Sequence, residues 1–383
     1  MLPENRSPDL ERLNSYFKFY AGASPVDRTG TITFPTRMKS IFPLPKMREF
    51  HENYQDLCEQ RAIDLLQLAA DLNVGIYVFW SGGVDSTCAL ISLLKHGQSE
   101  RLTILLNENS VLEYPLFYSR FIRGKLRCQS VNRITEVFNE RALAVNGEGN
   151  DQLFGSDIIE DAISLFGIEA VLGRLQRELM TSLFQHKGAT REIALFFSGL
   201  FGRLLETAPV PLRTNFALLW WINFAIKWQT VYMRSLIFSK KPLSAEHVKT
   251  YYHPFYNTTD FQLWSMNNLD KRIKNHWRTY KWPCKEIIYE FTGDENYRDS
   301  KIKHGSLQYV FIPLAFHNFL DEHFNFCEKI DWYEPQNDFT PATFDPLSRS
   351  LCEDAQLQQL LRDSRLSKPD GDILLGYGQR ALY

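Results

Sequence analysis

The sequence has no C-x-x-C pair, no H-E-x-x-H string, and no glycine loop followed by Gly-Lys-Ser or Gly-Lys-Thr. These absences argue against the common zinc and dithiol sites and against a Walker A phosphate loop. No G-x-S-x-G elbow or Cys/His nucleophile arrangement stands out. The six cysteines (Cys58, Cys88, Cys128, Cys284, Cys327, Cys352) are dispersed and read as reduced, mostly buried thiols of a cytoplasmic protein. Charge of one sign is also lacking. With 43 Lys and Arg against 45 Asp and Glu, the net charge of −2 exerts no general pull on nucleic acid or anionic membrane. The most apolar run, Phe216–Ile226, is too short to span a bilayer and is bounded by Lys227, so it reads as a buried helix. The first residues, Met1-Leu-Pro-Glu-Asn-Arg-Ser7, show no basic region leading into an apolar core, so no signal peptide is expected. No fixed-period repeat or low-complexity segment occurs.

Aromatic residues are plentiful, with 28 Phe, 17 Tyr and 8 Trp in 383 residues, enough for a sizeable aromatic core. The most informative stretch is Ile76-Tyr-Val-Phe-Trp-Ser-Gly-Gly-Val-Asp-Ser-Thr-Cys-Ala-Leu90. Its β-branched and aromatic start predicts a short buried strand. Gly82 and Gly83 then allow a sharp turn and close approach of backbone to a ligand. The run from Ser86 to Lys95 predicts a helix with Asp85 or Ser86 as its cap. A helix N-terminus after a glycine turn aims N–H groups at an anion. Ser81 and Ser86 add hydroxyl donors, and Asp85 can hold a divalent ion against phosphates. The stretch reads as a phosphate site with a metal-binding acid.

Before it, apolar spacing predicts a helix over 48–73, ended by Asn73-Val-Gly75. After it, Leu102–Leu106 and Arg141–Val145 predict two further strands, with a helix over 115–127 between them. Strands alternating with helices predict an α/β fold with a doubly wound parallel sheet. We expect an irregular lead-in at 1–47, the sheet core at 48–165, a helical substrate-side subdomain at 166–330, and a polar C-terminal tail at 331–383 with one helix near 353–363.

The third strand runs into Gly147-Glu-Gly-Asn-Asp-Gln-Leu-Phe-Gly155, which in a parallel sheet emerges at the same edge as Ser81–Ser86. Two acids three residues apart, Glu148 and Asp151, can share a metal or serve one metal and one reacting group. Together the two stretches resemble the synthetase domain of asparagine synthetase and its relatives, including β-lactam synthetase and lasso-peptide cyclase, within the ATP pyrophosphatases of the PP-loop superfamily. Those enzymes carry S-G-G-x-D-S and, further on, G-E-G-x-D-E-x-F-G-G. His253-Pro-Phe-Tyr256 is similar to a weakened form of their R-V-P-F-L-D segment, and Tyr297-Arg-Asp-Ser-Lys-Ile-Lys303 falls where they place pyrophosphate-contacting lysines. The resemblance spans residues 50–305 and is strongest at the two loops.

It implies an adenine nucleotide alpha hydrolase-like fold and an ATP-dependent amide ligase that activates a carboxylate as its acyl-adenylate. Ammonia or an amine then takes the acyl group, releasing AMP. It implies that Ser81, Gly82, Gly83, Asp85 and Ser86 hold ATP, and that Asp85 and Asp151 hold Mg2+. Glu148 would orient or deprotonate the amine, and Lys301 or Lys303 would neutralise the leaving pyrophosphate. Three departures stand out. Gln152 replaces the family's last acid, Tyr256 and Asn257 stand where its Asp follows P-F-L, and Leu2 stands where glutamine-using members expose a Cys. The resemblance then implies free ammonia, an amine substrate, or ammonia from a separate glutaminase, with a carrier protein as a further partner. The basic segment Asp270–Lys281 is read as a solvated helix face in preference to a nucleic-acid strip, with Lys281 and Lys285 as alternatives reaching the nucleotide. His317 and His323 read as helix residues near the end of the core, and no zinc is expected. Two other functions remain in view: adenylation of a nucleobase carbonyl, as in tRNA modification, and a non-catalytic ATP-binding regulator.

Overall fold

The computed structural model describes residues 26–32, 40–106, 108–131, 137, 140–155, 157–176, 178–186, 190–237 and 244–301. Lys303, His317, His323 and the helix expected near 353–363 lie outside them. The chain divides into two compact units. One contains the sheet and is assembled from two separate segments, residues 45–154 and, among the later described residues, 244–301.

This unit opens with helix α1 (Tyr54–Asp71), which begins later than the pattern suggests because Asn53 caps it, accepting from the Asp56 N–H at 2.9 Å. Its buried face carries Leu57, Ala62, Leu65, Leu66 and Ala69. Asn73, at φ 51°, then turns the chain into strand β1 (Gly75–Phe79). Helix α2 spans Val84–Leu94, two residues earlier than expected, with Gly83 rather than Asp85 or Ser86 at its cap. The reason is local: Gly83 takes the extended cap conformation, while the Ser86 hydroxyl turns back to the Ser81 N–H at 3.0 Å.

Strand β2 (Leu102–Leu106) follows where expected, and the short helix α3 (Glu108–Glu113) comes next. The helix expected over 115–127 ends as a π turn at Tyr118–Ile122, since Gly124 at φ 70° breaks it. Residues Arg127–Ser130 form a strand, β3, that hydrophobic pattern does not disclose because it is polar and mostly exposed. Strand β4 (Ala142–Val145) is buried throughout and leads to the short helix α4 (Asn150–Phe154).

All four strands are parallel, in the order β3-β2-β1-β4. Val78 pairs with Ile104 on one side and Val145 on the other. The chain leaves β1 toward β2 and β3, whereas β4 lies on the opposite flank. The β1–β4 gap is therefore the place where strand order reverses, and the loops after both strands open there. Ligand crevices of parallel sheets form at such points.

The other unit contains residues 26–32, 40–44 and Gly155–Ile237 and is helical. Its centre is α5 (Asn215–Ile226), capped by Thr214 and buried at all twelve positions, as expected for the Phe216–Ile226 run. Asn215 is accommodated by hydrogen bonds to the Ala170 and Arg174 carbonyls, and Trp221 donates to the Leu204 carbonyl at 2.8 Å. Among the described residues no helix is long and apolar enough to cross a membrane.

The second segment of the sheet unit runs alongside β4. His253 N–H donates to the Ala144 carbonyl and Phe255 N–H to that of Asn146, both at 2.9 Å. Helix α6 (Thr259–Asn267) packs Phe261 and Trp264 around Tyr54 with Phe154 and Tyr256. Each fully buried aromatic contributes about 1.5–3 kcal/mol. The expected solvated helix over 270–281 is not formed. The segment makes two short 3-10 turns, with Arg272 and Lys281 buried. Helices α7 (Trp282–Thr292) and α8 (Glu295–Ser300) complete the unit.

Candidate active site

The loop after β1 is built from short-range bonds. Ser81 Oγ and Ser86 Oγ lie 2.9 Å apart, and the Ser86 hydroxyl also reaches the Gly83 carbonyl at 3.3 Å. Gly82 adopts φ 75°, and a Cβ there would stand 2.5 Å from the Ser110 carbonyl oxygen and 2.8 Å from Glu113 Cβ. Only glycine meets both demands. Tyr297 on α8, stacked on Tyr114, donates its buried hydroxyl to the Gly82 carbonyl at 3.0 Å. The turn is thus held from above as well as from within.

The loop after β4 crosses directly against it. A Cβ on Gly147 would meet Ser86 N at 2.9 Å and Asp85 Cβ at 3.0 Å. Glycine is required at 147 by this close approach, since its φ is not positive. The two loops that the sequence singles out therefore form one site. Glu148 is half-buried at the turn, its N–H donating to Asn146 Oδ1 at 3.0 Å. Asp151 lies in the first turn of α4.

Between the two acids stands Lys281. Its ammonium is 2.7 and 2.6 Å from the carboxylate oxygens of Asp85 and 2.6 Å from Asp151 Oδ1. The lysine side chain is only 5% exposed. Burial alone would push its pKa down, but Asp151 and Asp85 outweigh that cost and hold it well above the usual lysine range. Its backbone sits at φ 59°, left-handed for a non-glycine residue, at the start of α7. Such a conformation costs on the order of 1–3 kcal/mol and persists where neighbours impose it.

Asp85 is also gripped from below. Asn150 Nδ2 donates to Asp85 Oδ1 at 2.6 Å, and Asn150 Oδ1 accepts from the Tyr54 hydroxyl at 2.6 Å. Cys284 completes this layer, donating to Tyr54 at 3.3 Å and accepting from Asn150 at 3.4 Å. Burial pushes the Tyr54 and Cys284 pKa values well up, so both stay protonated donors. Tyr256, fully buried, donates to the Asp85 carbonyl at 2.9 Å. The weakened H-P-F-Y segment therefore reaches the site through Tyr256.

Lys301 caps α8 and its ammonium pairs with Glu113, the residue packed on Gly82. Lys285 donates to the carbonyls of Lys301 and Arg278, at 2.6 and 2.5 Å. Burial lowers its pKa to about 8. Gln152 is buried, and its Oε1 has no hydrogen-bond partner among the described residues. A carboxylate at that position would require a counter-charge in the interior.

Among the described residues no three His, Cys, Asp or Glu side chains converge to hold a metal by themselves. Asp85 and Asp151 nevertheless converge on a single cationic atom, the Lys281 ammonium. Two carboxylates are what Mg2+ commonly takes from protein when substrate phosphates supply its other oxygens. The pair offers two carboxylates to a cation and does not form a closed cage. The sequence reading missed Asn150, Tyr54 and Cys284. The Asn within G-E-G-N-D was the only local signal for them. Comparisons of the chain with protein-family models, with curated proteins and with solved structures find no match.

Proposed function

We propose that the chain is an ATP-dependent amide ligase of the asparagine synthetase type, with a doubly wound, adenine nucleotide alpha hydrolase-like sheet. The observation that carries this reading is the seating of Gly147 against Asp85 and Ser86 at the reversal point of a parallel sheet. That contact brings a glycine-hydroxyl loop, two acids and buried lysines to one place. The loop of Ser81, Gly82, Gly83 and Ser86 receives the ATP phosphates, using N–H groups of the α2 N-terminus and both hydroxyls. Asp85 and Asp151 would hold Mg2+, which supplies charge neutralisation on the phosphates. A substrate carboxylate oxygen attacks the α-phosphorus, the bond to the β-phosphate oxygen breaks, and pyrophosphate leaves. Lys301 and Lys281 offset the charge that develops there, and Lys285 fixes the Lys301 backbone. Ammonia or an amine then attacks the acyl carbon, its proton passes to Glu148, and AMP departs. The setting is cytoplasmic, with a small carboxylate and an amine as partners and no nucleic acid.

The test is substrate-stimulated pyrophosphate release from Mg-ATP with a panel of carboxylates and amines. Asp85→Asn is expected to lower the rate by at least about 10²-fold with the fold retained by circular dichroism. Glu148→Gln is expected to spare ATP binding while stopping amide formation. Release driven by RNA and indifferent to carboxylates would move the enzyme to nucleobase adenylation. Tight ATP binding without turnover would make it a regulator.

A further inference from the structure

The two acids of the site already share a cation, and it belongs to the chain. The Lys281 ammonium makes three contacts of 2.6–2.7 Å with two carboxylates, one from the first turn of α2 and one from that of α4. Bound divalent ions take carboxylate oxygens at about 2.0–2.6 Å, so the ammonium and a bridging ion cannot share this point. We propose that Lys281 is the resident counter-ion of the Asp85–Asp151 pair, shutting out free divalent cations so that metal enters only as its nucleotide complex. This rests on the reading of the two loops as a Mg-ATP site and adds to it a rule of entry.

Three features fit that role. First, the lysine backbone is fastened: its N–H donates to the Arg272 carbonyl at 3.0 Å and its carbonyl accepts from the Lys285 N–H at 3.2 Å. Departure of the ammonium from the acids is then a matter of side-chain torsions alone, while α7 stays in place. Second, Asp85 has an independent hold. Asn150 keeps Oδ1 and Tyr256 keeps the backbone carbonyl, so the carboxylate stays positioned when the lysine leaves. Third, the exchange is balanced in charge only when phosphates come along. Free Mg2+ would displace an ammonium from two carboxylates and leave that ammonium buried without a partner, a costly state. A metal-bound triphosphate brings its own negative charge, which gives the released ammonium a new partner in the same crevice. The lysine thereby serves twice, first as a seal against bare metal and then as a phosphate contact.

The experiment measures free Mn2+ by electron paramagnetic resonance, with protein in excess and no nucleotide. Wild type is expected to leave Mn2+ free, whereas Lys281→Met should bind it on the order of tenfold or more tightly, because two uncompensated acids then face one point. Adding Asp151→Asn to Lys281→Met should return the affinity toward that of wild type. Thermal unfolding gives a second readout: Mg2+ alone should raise the Tm of Lys281→Met and leave that of wild type unchanged. Should Lys281→Met fail to fold without metal, Lys281→Gln, which keeps polar reach and removes charge, takes its place in both measurements. Equal Mn2+ affinity in wild type and the uncharged variants would overturn the proposal, as would tight binding of free Mn2+ by wild type that Asp151→Asn abolishes. A separate titration with Mn-ATP distinguishes the two levels. Failure of wild type to bind Mn-ATP would remove the nucleotide reading, whereas the nucleotide-free arm decides the role of Lys281.

Discussion

The two loops at the edge of the sheet differ in how much of their shape is local. The Ser81–Ser86 turn is shaped by bonds among its own residues, hydroxyl to hydroxyl and hydroxyl to the Ser81 N–H, none of these spanning more than five positions, and is then clamped by Tyr297 on the Gly82 carbonyl and Tyr256 on that of Asp85. Asn146–Gln152 depends on partners brought from far along the chain: Tyr54 for Asn150, Lys281 for Asp151, Tyr252 for Asn146. The first loop takes its turn from local bonds, and distant groups only secure it. The second takes its functional shape only when α1, α7 and the 252–256 segment pack around β4. A phosphate-binding turn can be written in a few residues, whereas two acids sharing one cation require a neutralising group from elsewhere.

Breaking the contact between the loops should have the largest effect. Gly147→Ala places a Cβ within 3.0 Å of Asp85 and Ser86 backbone atoms, so one loop must move. Pyrophosphate release is expected to fall about 10²-fold or more, with loss of stability on the order of 1–3 kcal/mol, read by turnover and urea denaturation.

A paired comparison of the loops comes next. Asn150→Ala removes the acceptor of a buried tyrosine and a donor to Asp85, which should cost about 1–3 kcal/mol and weaken Mg-ATP binding. Ser81→Ala removes a hydroxyl from the half-buried loop and should cost under about 1 kcal/mol. Denaturant midpoints of the two variants decide it. A larger loss in Ser81→Ala would reverse the assignment of which loop is locally held.

A further effect concerns Lys285 and appears only with pH. Its pKa is 10.5 in an ordinary setting and about 8 in the fold. Between those values the unfolded chain binds more protons, so this group makes stability rise as pH climbs from about 8 toward 10. Lys285→Met should flatten that rise, seen as a narrowing gap between variant and wild-type urea midpoints below about pH 8 relative to those near pH 10.

Much of the fold could be read in advance where side chains repeat with the period of the element. Strands β1, β2 and β4 are largely apolar and buried, α1 carries an apolar face at helical spacing, and α5 is apolar nearly throughout. Strand β3 escaped because Arg127, Cys128 and Ser130 are exposed, so alternation carries no signal. The basic segment before α7 misled for a different reason. Lys281 and Arg272 look like surface charges in sequence, and nothing nearby announces the acids or carbonyls that allow them to be buried.

From the sequence alone came the parallel α/β character, the glycine turn with its two hydroxyls, and the two acids at the same strand edge. Each is written in neighbouring residues, because turn geometry and strand periodicity are short-range properties. Tertiary structure alone decided that Gly147 touches Asp85, that Asn150 and Tyr54 steady that acid, and that Lys281 neutralises both carboxylates. Contacting groups among these are separated by up to 196 positions, as Asp85 and Lys281 are. Charge compensation in a buried site is satisfied by whatever is near in space, and spacing along the chain carries no record of it.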